Sequence, residues 1–302
     1  MMMRFTVLPT LCGRLAVLVA AVACGGQTSD SGLAIPPPRI EQVSAGYGNS
    51  CTIDAEGTVA CWGWDVYEQV SQTPAATFTT VSAGYGHICA IDPSDALSCW
   101  GYDHFGQVSE APSGSFLEAH AGRYHSCALL TDGSINCWGV DDNDQVTDTP
   151  SGEYETLSAG DYHNCALDSA GAITCWGLDL DSQVTDTPTG TFTALSSGGT
   201  HNCAIDTDGS IICWGDDTYN QVSDTPAGSY SSISAGEFHN CAIDTAGAIE
   251  CWGWDWYDQI SDTPDETFTS VSAGGAHNCA IDSWGELACW GDNGKEQVAS
   301  TK

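Results

Sequence analysis

The chain has 302 residues, enough for one or two domains with a buried core. Six Lys and Arg stand against 40 Asp and Glu, a formal net charge of -34. A surface of that sign repels phosphate backbones and anionic lipid, which excludes nucleic acid as a partner and leaves cations, cationic protein patches and neutral ligands such as sugars.

Residues 1–23 read as an export signal, with Arg4 and Arg14 ahead of an apolar run from Leu15 to Ala23 that is too short to span a bilayer. The stretch Ala21-Val22-Ala23-Cys24 resembles a bacterial lipobox, with Ala21 where leucine is usual. Cys24 is therefore the expected site of lipid attachment and the expected membrane contact, with ordinary signal cleavage and secretion as the alternative. Residues 24–39, small and polar and then Pro-rich, read as a flexible tether. Both routes place the protein outside the cytoplasm, at the cell envelope or cell surface if lipid-anchored.

From residue 40 to 302 the chain repeats itself. Rows beginning at Ile40, Phe78, Phe116, Tyr154, Phe192, Tyr230 and Phe268 follow one another every 38 residues without a gap. Row six shows the plan: an aromatic start, "SISAG", two variable residues, "HNCAID", a Gly-containing turn, "AIECWG", a loop, "QI", and "SDTP". Four short β-type runs per row, divided by Gly, Asp and Pro, predict a four-stranded antiparallel meander. Helical periodicity is absent from the repeats. Seven such sheets fit an all-β, seven-bladed propeller better than a linear stack, because radial closure leaves no long exposed edge.

The pattern "VSAGxxHxCAID…GxIxCWGxDxxxQV" is similar to the repeat of the regulator of chromosome condensation family, and the similarity covers all seven rows. Row length and paired cysteines look like those of its exported bacterial members. The Asn usual after Trp-Gly-x is Asp in six rows and Asn293 in the seventh, and the Gly usual before Gln survives as Gly106 alone. The resemblance implies seven propeller blades. It implies no single function, since the family includes a nucleotide-exchange factor, a plant ultraviolet-B photoreceptor and a propeller-type β-lactamase inhibitor.

Fourteen cysteines recur as one Cys-x9-Cys pair per row: Cys51 and Cys61, Cys89 and Cys99, Cys127 and Cys137, Cys165 and Cys175, Cys203 and Cys213, Cys241 and Cys251, Cys279 and Cys289. A hairpin turning between the members sets them opposite each other on neighbouring strands, within disulfide range, and an oxidising compartment keeps such bonds. Zinc is the competing account of His-x-Cys…Cys, but each row offers three ligands instead of four and Asn49 replaces the first histidine, so no metal site is expected. His87, His125, His163, His201, His239 and His277 recur with the frame and are read as holding blades together.

Strand parity separates two faces. The turns between runs two and three and the Asp-Thr-Pro links are monotonous, whereas the opposite face varies from row to row, which is where recognition is commonly built. Its second loops supply the candidate ligand-binding residues Trp64, Tyr67, Tyr102, Phe105, Tyr219, Trp254, Trp256 and Tyr257. Ring closure is expected to join blades six, one and two into one aromatic crescent, interrupted by Gly294 and Lys295. An acidic arc, Asp141, Asp142, Asp144, Asp179, Asp181, Asp216 and Asp217, faces it. Calcium is the cofactor weighed there, but Asp141 to Asp144 lacks the spacing and glycine of a calcium loop, so none is expected.

The unrepeated polar set at the axis, Arg123, Asp161 and Glu237 with Tyr47, Tyr85, Tyr124 and Tyr162, has no catalytic spacing, so no catalytic residue is assigned. Arg123 and Asp161 are expected to form an ion pair. The expected function is a surface-tethered, monomeric binding protein whose variable face holds a protein or glycan. The alternatives are a durable envelope or matrix component without a ligand and, less favoured, a polysaccharide lyase or glycosidase.

Overall fold

A computed structural model describes residues 39–298, so the signal segment, Cys24 and the tether lie outside the described residues. Twenty-one strands form seven separate three-stranded antiparallel sheets, one per row. In blade one, β1 (Ile40–Ala45) pairs with β2 (Asn49–Asp54), which pairs with β3 (Val59–Gly63). The first strands of all blades converge on the axis, and the central strands are buried almost throughout because blades pack against both their faces. The last blade packs on β1, closing a seven-bladed ring in which each blade takes its strands from its own row.

The predicted fourth strand is not formed. After Trp62 and Gly63, the Asp65 Oδ1 accepts the backbone N–H groups of Val70 and Ser71, and the Gln69 Oε1 accepts that of Tyr67. Side chains thus consume the donors a ladder would need and coil the segment into turns. Isolated bridges between Thr58 and Thr77 and between Ala248 and Thr267 are what remains of a fourth strand in blades one and six. The residue before each of these glutamines has a positive φ: 79° at Gly106, but also 61° at Glu68 and 62° at Glu296. The missing glycines of the family pattern therefore leave the backbone path unchanged at a cost of about 1–2 kcal/mol each in left-handed strain.

Each cysteine pair faces across the second and third strands in register, and all seven disulfides are formed, with Cα separations of 4.0–4.1 Å. One cysteine of each pair, such as Cys51, is fully buried.

Blades are joined at the carbonyl of the recurring glutamine. The indole Nε1–H of the next blade's Trp donates to it at 2.8–3.0 Å at every seam, from Trp62 on Gln297 through Trp290 on Gln259. At four seams an asparagine joins in: Asn164 Nδ2 donates to the Gln145 carbonyl, and its Oδ1 accepts the Nε2–H of His125 from the previous blade at 2.8 Å. Because the amide nitrogen is already committed, the facing histidine must carry a proton on Nε2, and the buried Nδ1, which has no partner, gives a second proton nothing to bond. Burial holds these histidines far down, to about 4 for His125, His163 and His239 and about 3 for His87 and His277. Ring closure uses the same joint, with Ser50 between His277 and the Gln297 carbonyl.

The seam between blades one and two departs from this pattern on both sides. Asn49 takes the histidine position and Ile88 the asparagine position, leaving the fully buried Asn49 amide without a partner. Gln42 compensates by exchanging two hydrogen bonds with the backbone of Val81.

The histidines make the fold acid-sensitive. Their folded values lie below the unfolded value near 6.5, so the unfolded chain binds the protons; stability is complete above about pH 6.5 and falls as pH drops towards 4. Thermal unfolding should show a flat Tm from pH 7 to 8 and a decline below 6 whose slope reports several protons; an unchanged Tm at pH 4.5 would contradict the neutral-histidine joint. At the odd seam, the pair Asn49→His and Ile88→Asn should restore the missing joint. Urea denaturation of both single variants and the double is expected to give a favourable coupling of about 1–2 kcal/mol.

Candidate functional site

The face opposite the β2–β3 turns is built from the loops after the first strand and after Trp-Gly. Both are launched from fixed points. Gly63, with φ 100°, passes so close to the backbone of the first loop that a Cβ would lie 2.7 Å from the Gly48 carbonyl oxygen, and the buried Gln69 anchors the far end of the second loop. What lies between varies freely.

The aromatic residues expected in one crescent form two clusters instead. Across blades one to three, Tyr47, Trp64, Tyr67, Tyr85, Tyr102, Phe105 and Tyr124 link ring to ring, with centroids 4.4–6.1 Å apart. Across blades five and six, Tyr219, Phe238, Trp254 and Tyr257 meet at 5.3–5.9 Å. Among the described residues no ring contact joins the clusters, because blade seven places Asp292 and Lys295 where blade two has Tyr102 and Phe105. The candidates also divide by exposure. Trp64, Tyr67, Tyr102 and Trp254 are half-buried by their neighbours, Phe105, Tyr219 and Tyr257 are more open, and Trp256 is 79 % exposed. Trp284, 75 % exposed in a turn of the opposite face, went unnoticed because that face repeats elsewhere; its signal is that the matching positions are small or polar.

The acidic arc is partly structural. Asp141, Asp179 and Asp217 each turn Oδ1 onto two backbone N–H groups, as Asp65 does, and these hydrogen bonds hold their carboxyls below the usual range against the upward push of burial. Asp216 is held by Thr218 and Gln221. Among the described residues no three His, Cys, Asp or Glu side chains converge as metal ligands do.

At the axis the expected Arg123–Asp161 pair is present at 2.8 Å, and the same Nη1 reaches Glu237 across the ring at 3.4 Å. Tyr47, Tyr85, Tyr124 and Tyr162 surround the guanidinium at 5.0–5.8 Å from its carbon. Sequence spacing could not show that Glu237, 114 residues away, would arrive at the same cation. Burial and the Asp161 carboxylate push Glu237 up to about 7 against the pull of Arg123. Beneath this plug lies an axial cavity of about 90 Å³ walled by a Gly from every blade and an Ala from each but the fifth, which supplies Ser197.

This geometry defines a closed seven-bladed propeller with a conserved-plan frame and one individual face. The matching family model is the regulator of chromosome condensation (RCC1) repeat, over residues 40–69, 78–107, 121–145, 155–183, 192–221 and 268–297; blade six, with its extra tryptophans, falls outside the matched segments. The chain belongs to that family. No curated protein sequence matches it. Among solved structures, the ectodomain of the Physcomitrella patens receptor kinase CR4 is similar at TM-score 0.72 and 24% identity, covering 84% of this chain and 74% of that one. The CRINKLY ectodomain of the Arabidopsis thaliana receptor kinase ACR4 gives 0.69 and 24%, covering 84% and 98%. Prp20p from Saccharomyces cerevisiae, described with its binding to Gsp1p and histones, gives 0.66 and 15%, covering 78% and 80%. These likenesses concern the fold.

The Glu237 carboxyl carries a signed prediction. Its folded value of about 7 lies above the ordinary 4.5, so its stabilising contribution is complete below pH 4.5 and is lost as pH rises to 7. Glu237→Gln should match the parent near pH 4.5 and exceed it above pH 7 by on the order of 1–2 kcal/mol in chemical denaturation; a difference independent of pH would refute the shift.

Proposed function

We propose that this chain is an extracytoplasmic, surface-tethered interaction protein whose variable loop face holds a protein or glycan. The observation that carries the reading is Trp256, 79 % exposed beside the packed Trp254 and Tyr257, at a position where no other blade has a tryptophan. Large exposed aromatics on a rigid support are the residues that interfaces concentrate. Structural neighbours support a protein partner: Prp20p binds Gsp1p and histones, and the two plant neighbours are receptor ectodomains.

The entry point of the chain fits this role. The Arg39 carbonyl accepts from Ala55 N–H at 2.9 Å and the Gly285 carbonyl from Ile40 N–H at 3.2 Å, both partners lying in turns opposite the loop face. Residue 39 thus enters the propeller on the side opposite the loop face. The axial carboxylates are both tied to Arg123 and the cavity beneath them, about 90 Å³, is far below the roughly 300–1,000 Å³ of small-molecule sites, which supports the loops, not the axis, as the place of binding.

Affinity capture from the native surroundings, read by mass spectrometry, tests the reading. Trp256→Ala should lose the captured partner while changing stability by less than about 0.5 kcal/mol. Trp254→Ala should also weaken capture but cost about 1–3 kcal/mol, because it removes edge contacts to Phe238 and Tyr257 and a tilted contact to Tyr219. Unchanged capture by Trp256→Ala would rule out the loop face as the binding surface.

A further inference from the structure

Both cations of the loop face are already seated. Lys295 Nζ lies 4.5 Å from the Trp64 ring centroid and 5.4 Å from that of Tyr47, while Arg123 sits among four tyrosines and two carboxylates. The remaining described cation, Arg39, pairs with Glu41 at 3.5 Å. Among the described residues, every Lys and Arg therefore has a partner within the chain, which carries 40 acidic groups in all.

The blade five and six cluster has the same ingredients and no cation. Its rings, Tyr219, Phe238, Trp254 and Tyr257, are paired with no Lys or Arg among the described residues, and Trp256 stands open beside them. Asp217 and Asp255 flank the loops. Each spends Oδ1 on two backbone N–H groups, and neither Oδ2 makes a hydrogen bond among the described residues. A cation over an aromatic face is attracted by the ring quadrupole, and neighbouring carboxylates add to that attraction and steer the approach.

We infer that the aromatic and acidic patch of blades five and six seats the lysine or arginine side chains of a basic polypeptide segment. The inference rests on the loop-face binding reading and names its partner's chemistry. A neutral glycan would use the rings and leave the carboxylates unused. A second copy of this chain would bring a net charge of -34 and be repelled.

Titration of the purified protein with an octa-arginine peptide, followed by calorimetry, tests it against three variants. Trp256→Ala should weaken binding about tenfold. Asp255→Asn should weaken it roughly threefold while keeping the loop, since Asn293 caps the same backbone position in blade seven. Trp284→Ala, on the opposite face, should bind as the parent does, and raising salt from about 50 to about 300 mM should weaken binding by more than tenfold. Equal effects of Trp256→Ala and Trp284→Ala would reduce the peptide's affinity to diffuse attraction and overturn the inference. The captured natural partner separates the two readings. Elution by neutral oligosaccharide but not by salt would sink the basic-partner inference and leave loop-face binding standing, whereas capture indifferent to Trp256→Ala would sink both.

Discussion

The carbonyl oxygen of the recurring glutamine is the point on which the ring depends. It accepts the next blade's indole N–H at every seam and, at four seams, the next blade's asparagine as well. The same residue's side-chain oxygen holds the loop that precedes it, as Gln69 does for Tyr67. One buried residue therefore fixes both the joint between blades and the far end of the variable loop. Each such hydrogen bond contributes only about 1 kcal/mol net. In a closed ring, however, opening one seam disturbs its neighbours on both sides, so the contributions act together.

That economy explains why the loop face is free to differ. The seven disulfides stiffen the second and third strands, and the aspartate after Trp-Gly-x turns the outgoing segment with its own carboxylate. Nothing between the aspartate and the glutamine is needed by the frame except a left-handed residue before the glutamine. The acidity of the protein accordingly has two origins. Asp65 and its counterparts are internal connectors, whereas residues such as Asp142, Asp144 and Asp181 are exposed and face whatever approaches.

The repeat length, the cysteine register and the parity of the faces were all legible in the sequence, because each follows from counting along a period-two chain. Cys51 opposite Cys61 is the simplest case. The fourth strand was misread because "QV" and "SDTP" carry strand and turn signals, while the decisive contacts run from Asp65 and Gln69 side chains to nearby backbone. The interruption of the aromatic crescent at Gly294 and Lys295 was legible, but its consequence, two clusters without ring contact, was not. Ring closure does bring blades six, seven and one into sequence, but contact between clusters needs a ring on the blade between them, and blade seven offers Lys295 instead. The convergence of Glu237 on Arg123 depends on the width of the axis, which no local pattern encodes.

The axial plug bears directly on where recognition takes place. Were Arg123 absent, two carboxylates and four tyrosines would meet at the centre of the face and form its natural cation site. Arg123 fills that site from within, at 2.8 Å from Asp161, and Lys295 similarly covers Trp64. The chain's own few cations thereby occupy the centre and the blade-one side of the face. Blades five and six keep the same combination of rings and carboxylates without such a cation among the described residues, so a partner's cation would meet there, beside Trp256, rings that no cation of the chain already covers.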